Sequence, residues 1–386
     1  MADTVTYTGR EQTLVKHFIL RKYLERFAHI IGGHWDTITY VDCFAGPWSV
    51  RSEKLEDSSF HIALEELRKA RATHRQRGRE IRLRCFFIEK DVKAFQLLRA
   101  FADRTEDAQI ETRNSELENA IGPIVRFVRA GGRGAFPFIF VDPTGWTGFG
   151  MKTIAPLLRL EPGEVLINLM TGHITRFVES PQEQTQQSFE DLFGSFAFKA
   201  KVEGLARSAR LDAIVEAYAE NVRRTGNFRY ACSAAILHPE IDRVHFHLIY
   251  ATRSPRGIEV FKETEKRAMA VMEVARAEAQ KRRREARSGQ PELFGSGTMH
   301  RPGYYDALRE RSLEKAKTAA LQMLQTHRIV PYDDLWERAL NVPLVWESDL
   351  KTWLREWKGL VRIEGMEPRQ QTPRRGAGNR VAWLGD

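Results

Sequence analysis

Cysteine is scarce in this chain, with three residues in 386, Cys43, Cys85 and Cys232. They lie far apart, which excludes a disulfide framework, and none has the spacing of a zinc or iron–sulfur ligand set. Long apolar runs are missing as well. No stretch approaches the roughly 18 apolar residues that cross a bilayer, and Met1 to Arg10 carries no apolar segment behind a basic start. These absences predict a cytoplasmic protein with no membrane association. There is no nucleophile elbow, no Walker loop, no paired-carboxylate glycosidase pattern and no internal repeat. His245 and His247 alternate along one apparent strand, but no third ligand lies nearby, so no metal site is expected.

Length and charge are what the chain does have. A chain of 386 residues exceeds what one hydrophobic core usually supports, so two or three domains are expected. The composition, 42% hydrophobic and 29% charged, is that of an ordinary globular protein. The formal net charge of +9 favours a polyanionic partner by raising encounters with phosphate groups. Basic residues crowd Arg68 to Arg84 and Lys281 to Arg287. The first run reads as a solvated helix end with a phosphate-contacting patch as the sharper reading, and the second as a site for nonspecific phosphate contacts.

Apolar strand-like runs alternate with helical periodicity. Residues Glu11 to Ile31 space their apolar side chains as one face of a helix, with Lys16 and His17 read as solvated or helix-end side chains. Strands are predicted at Thr39 to Asp42, Arg82 to Glu89, Gln109 to Thr112, Phe136 to Asp142 and Glu164 to Met170, with helices between them. This predicts a mostly parallel, Rossmann-like α/β sheet. Phe228 to Leu237 and Val244 to Thr252 read as a late antiparallel hairpin closing it, the usual late-strand arrangement of class I methyltransferases.

The chain thus divides into a Rossmann-like, methyltransferase-type body at 1–287, a linker at 288–303 and a winged-helix-like α+β unit at 304–386. A polar helical insertion at about 182–225 is read as a lid over the sheet's carboxyl edge.

Three strand ends carry the candidate chemistry. S-adenosylmethionine needs a tight turn near its amino-acid end and an acid for its ribose hydroxyls. Asp42, Phe44 and Gly46 supply the turn, and Glu89 the acid, although Glu89 lies 43 residues after Gly46 instead of the usual ~20. Asn114 and Asn168 end strands on the same edge and are candidate binders of adenine or substrate. Asp142-Pro143-Thr144-Gly145-Trp146 resembles the motif of enzymes that methylate the exocyclic amine of a base. Asp142 and the Pro143-constrained backbone would accept hydrogen bonds from that amine, with Trp146 stacked on the base.

The order Tyr40-Val41-Asp42-Cys43-Phe44-Ala45-Gly46-Pro47, Phe87-Ile88-Glu89, Phe140-Val141-Asp142-Pro143, Glu164 to Asn168, and Leu248 to Arg253 with Gly257 and Lys262 resembles the three-Cys-motif partner protein family. The resemblance is collinear over nearly the whole chain. Cys43 and Trp48 stand where members more often carry Gly, and Asp57-Ser58-Ser59 where a Gly-Ser-Pro run is common. It implies a class I methyltransferase-like fold and a partner encoded alongside, a phage-type three-Cys-motif protein thought to be a radical S-adenosylmethionine enzyme. The expected function is S-adenosylmethionine-dependent methyl transfer to an amino group in nucleic acid, DNA or RNA. The alternative is a non-catalytic, Rossmann-like nucleic-acid-binding partner of that radical enzyme.

Overall fold

The computed structural model describes residues 7–46, 55–178 and 180–385. Trp48 and its expected place in the first turn lie outside these residues. Seven strands build the main sheet: β1 (Thr37–Asp42), β2 (Arg82–Glu89), β3 (Gln109–Asn114), β4 (Ala135–Val141), β5 (Glu164–Leu169), β6 (Tyr230–Leu237) and β7 (Val244–Thr252). All but β3 are buried along nearly their whole length, because both faces are covered and their sequences are correspondingly apolar. The spatial order is β3-β2-β1-β4-β5-β7-β6. Strands β1 to β5 are mutually parallel, and β7 runs antiparallel between β5 and β6. The fold is a Rossmann-like α/β sheet closed by an antiparallel late hairpin.

Side chains alternate between the two faces of each strand. Tyr40, Phe87, Phe138 and Phe140 enter one core, together with the helix Glu11–Gly32, the helix Ser59–Gln76 and the long helix Pro255–Ser288. Val41, Phe86, Ile88, Ile139 and Val141 enter the other, under the helices Leu117–Arg129, Met151–Leu158, Glu183–Phe193 and Arg207–Thr225. The segment at 182–225 is therefore not a lid. Phe189, Leu192, Ile214, Tyr218 and Val222 are buried in this second core; the helix Arg207–Thr225 covers β6 and β7, and the helix Glu183–Phe193 packs against it and against the helix Met151–Leu158.

After the long helix come helices Gly303–His327, Tyr332–Leu340 and Glu347–Glu356, with a small antiparallel sheet of β8 (Ile329–Pro331), β9 (Val361–Glu364) and β10 (Arg380–Trp383) in the order β8-β10-β9. The expected C-terminal α+β unit is thus built of these three helices and a three-stranded antiparallel sheet. Its three-residue first strand is too short to carry a readable period. The core beneath the first sheet face continues into this unit through Trp336, Leu340, Val345 and Leu350. Tyr230 on β6 meets the Trp336 ring edge-on at 6.4 Å between centroids.

Candidate functional site

Chain order reverses between β1 and β4. In a doubly wound sheet such a reversal opens a crevice at the carboxyl ends of the strands. The cleft found there has a volume of about 690 Å³, within the ~300–1,000 Å³ range of small-molecule sites. Gly46, Glu89 and Asp142 all line it, with Phe44 and Pro143. The tips of β1, β2 and β4 thus converge as their sequences predict.

Register explains the convergence. Tyr40, Phe87 and Phe140 point to the first core, so Asp42, Glu89 and Asp142, each two residues further on, point the same way. The helix Glu11–Gly32 covers that face and carries Lys16 into the cleft. Lys16 Nζ donates to Asp142 Oδ2 at 2.5 Å, and Asn168 Nδ2 donates to Asp142 Oδ1 at 2.8 Å. Both Lys16 and Asp142 side chains are only 13% exposed. Lys16 is therefore a functional candidate and not a solvated side chain. Its signal was in the sequence: position 16 continues the stripe of Leu20, Tyr23 and Phe27, all buried, and a cation at such a position needs a partner.

Asn168 Oδ1 is buried without a hydrogen-bond partner among the described residues, beside a carboxylate fixed on both oxygens. Glu89 is 3% exposed, and its Oε1 accepts from the Asp91 amide at 2.6 Å. That bond turns the chain at the tip of β2 and fixes the carboxylate at the cleft wall. Antiparallel β7 starts where the parallel strands end, so His245 and Phe246 also reach the cleft.

Several predicted site residues lie elsewhere. Asp42 is fully buried and does not line the cleft; its carboxylate accepts from Ser59 Oγ at 2.6 Å, the Phe44 amide at 3.1 Å and Tyr40 Oη at 3.2 Å. It shapes the first turn from behind. Asn114 is exposed and does not itself line the cleft; it sits behind the rim, its Nδ2 donating to the carbonyls of Glu89 and Lys90. Trp146 does not line the cleft either. Thr144 and Gly145 carry it past the strand end, where its indole stacks on Phe189 at 5.7 Å and donates to Ser188 Oγ at 3.0 Å. The phenyl rings that do line the cleft are those of Phe44 and Phe246.

The basic run Lys281 to Arg287 is largely engaged: Arg282 pairs with Glu11, Arg284 with Glu292 and Lys281 with Glu285, while Arg283 donates to the Glu240 carbonyl. His245 and His247 share a strand face, but His247 is buried on Thr171 Oγ1 at 2.9 Å. Among the described residues no cluster of three or more His, Cys, Asp or Glu forms a metal site.

Burial sets the protonation of the site. Desolvation pushes the Asp42 carboxyl up to about 7, against the hydrogen bonds from Ser59 and Phe44 that favour its ionised form. His17, inside the protein on Tyr7 Oη at 3.0 Å, is pushed down to about 3 by burial and then by Lys16. Burial, followed by His238, pushes His245 down to about 4. Both imidazoles are neutral at pH 7. Because the folded carboxyl of Asp42 lies above its unfolded value, its contribution to stability is full below pH ~4 and is lost as pH rises through about 7. We expect Asp42→Asn to flatten the dependence of urea-unfolding free energy on pH between about 4 and 7, a difference on the order of 4 kcal/mol. An unchanged slope in the variant would contradict a buried, proton-binding Asp42.

The strand order, the reversed β7 and a cleft at the β1/β4 switch point define the class: a methyltransferase-type Rossmann-like fold. No family model matches the sequence, and no curated protein matches it. Among solved structures, a protein from Legionella pneumophila str. Philadelphia 1 assigned to DUF519 is similar with a TM-score of 0.37 and 10% identity, over 68% of this chain and 91% of its own. Loganic acid methyltransferase with SAH is similar with a TM-score of 0.31 and 9% identity, over 72% of this chain and 91% of its own. No described helix is long and apolar enough to cross a membrane.

Proposed function

We propose that this chain is an S-adenosylmethionine-dependent methyltransferase acting on an amino group in nucleic acid. The observation that carries the reading is the meeting of Gly46, Glu89 and Asp142 in one cleft. Glu89 would accept hydrogen bonds from the cofactor's ribose, and the Cys43 to Gly46 turn would hold its amino-acid end. When bound, S-adenosylmethionine supplies an electrophilic methyl group. Asp142 would accept a hydrogen bond from the target amine, raising its nucleophilicity and stabilising the charge that develops on nitrogen. Lys16 and Asn168 fix that carboxylate in place. Phe44 and Phe246, in place of Trp146, offer the aromatic faces for an extruded base.

The collinear motifs support membership of the three-Cys-motif partner family and, with it, a radical S-adenosylmethionine protein as partner. The Lys16–Asp142 ion pair favours a second reading, a non-catalytic scaffold, because the acceptor carboxylate already holds a cation. Isothermal titration with S-adenosylmethionine separates the two. The enzyme binds it, and Glu89→Gln weakens that binding by about 10-fold or more, the loss of a charge-assisted hydrogen bond. No heat at millimolar cofactor leaves the scaffold.

A further inference from the structure

A second cavity, of about 630 Å³, lies at the opposite end of the sheet. It opens where β2, β3 and β4 begin, roughly 23 Å from the catalytic edge at ~3.3 Å per strand residue. Arg71, Arg75, Arg82 and Arg84 line it, against Glu80, Glu106 and Asp107. Two of the carboxylates are already engaged, Glu80 by Arg75 and Asp107 by both Arg68 and Arg71.

Arg84 is the unusual member. It is 7% exposed and makes no ion pair among the described residues, although a buried cation ordinarily needs one. Its guanidinium is nevertheless fixed. Nε donates to Gln109 Oε1 at 2.8 Å, Nη1 donates to the Phe127 carbonyl at 2.7 Å, and the group lies 4.1 Å from the centre of the Phe127 ring. A Cβ on Gly131 would come within 2.8 Å of Nη1, so the absence of a side chain there makes room for the arginine. Nη2 has no hydrogen-bond partner among the described residues, on a residue that lines the cavity. Arg82, two residues earlier on the same strand face, is exposed and makes no ion pair among the described residues.

We propose that this cavity binds a phosphate group, with Arg84 as the fixed donor and Arg82 as the closing cation. An oriented guanidinium with Nη2 free, flanked by a second unpaired guanidinium, is an arrangement that recognises phosphate oxygens. A polynucleotide backbone and a free phosphate ligand present the same oxygens, and the chemistry at the arginines is the same. The assignment holds whether or not the catalytic-edge cleft transfers methyl groups.

The test uses the full chain and two variants, Arg82→Gln, at an exposed position, and Arg84→Lys, which keeps the charge but loses the fork. Inorganic pyrophosphate is titrated calorimetrically, and a fluorescent single-stranded RNA is titrated by anisotropy across a salt series. Arg82→Gln is expected to weaken at least one probe by about 10-fold with an unchanged melting temperature. If the site takes a polynucleotide, the slope of log K against log salt falls by about 0.7 for the lost contact. If it takes a free phosphate ligand, only pyrophosphate binding falls. Arg84→Lys should weaken the same probe. Wild-type protein that binds neither probe, or equal affinities in wild type and both variants, overturns the proposal.

Discussion

Asp142→Ala is expected to lower methyl transfer to a nucleic-acid substrate by about 10²- to 10⁴-fold, the usual contribution of a positioned acceptor at a reacting nitrogen. Transfer of a labelled methyl from S-adenosylmethionine is the measurement. The variant should still fold, because Asp142 sits at a strand tip and is partly exposed. It does leave Lys16 Nζ and Asn168 Nδ2 without the oxygens they now reach, so a modest loss of stability accompanies the loss of rate. Lys16→Met separates the roles: it removes the cation and leaves the carboxylate. Asp142→Ala protein that turns over at the wild-type rate, with an intact far-ultraviolet spectrum, removes Asp142 from the chemistry.

The second large effect concerns stability. Lys262 and Glu265 are buried on the long helix, 2% and 0% exposed, with Nζ 2.6 Å from Oε2. Each also reaches across to the C-terminal unit, Lys262 donating to the Val342 carbonyl at 3.0 Å and Glu265 accepting from the Leu344 amide at 3.0 Å. Glu265→Ala strands a buried ammonium and should cost about 3–5 kcal/mol. The double change Lys262→Met with Glu265→Leu should cost much less, since both charges leave together. Urea unfolding of the two variants measures the contrast. Equal losses would show that the ion pair is not what the single change disrupts.

The sequence reveals the fold through fully apolar runs separated by helical periodicity, and the site through three strand tips. Side-chain direction at those tips was harder to read. Asp42 and Asp142 both end strands on the same face, yet only Asp142 reaches the cleft; Ser59, 17 positions along the chain, turns Asp42 inward. The partnership of Lys16 with Asp142 spans 126 positions, beyond any local pattern. Trp146 was misplaced because two of its partners, Ser188 and Phe189, belong to a segment read as a lid, and a third, Phe177, lies 31 positions along the chain.

Several residues that carry the family resemblance are architectural. Tyr23 Oη meets Glu164 Oε2 and Tyr250 Oη, each at 2.5 Å, and Thr252 donates to Glu164 Oε1 at 2.8 Å. Gly257 closes over this network, where a Cβ would meet Tyr250 Oη and lie 2.9 Å from Glu164 Oε1. Such positions report on how the sheet is braced, so they are informative about shape and silent about chemistry.

The apolar interior that runs unbroken from the main sheet to Trp336 and Leu350 also limits how the molecule can be rearranged. Severing the chain near 288 would strip the cover from both pieces and leave two wet, sticky surfaces where there had been one joint. The tail is accordingly a buttress welded to the body, and swapping it for another module would require recutting the weld on both sides.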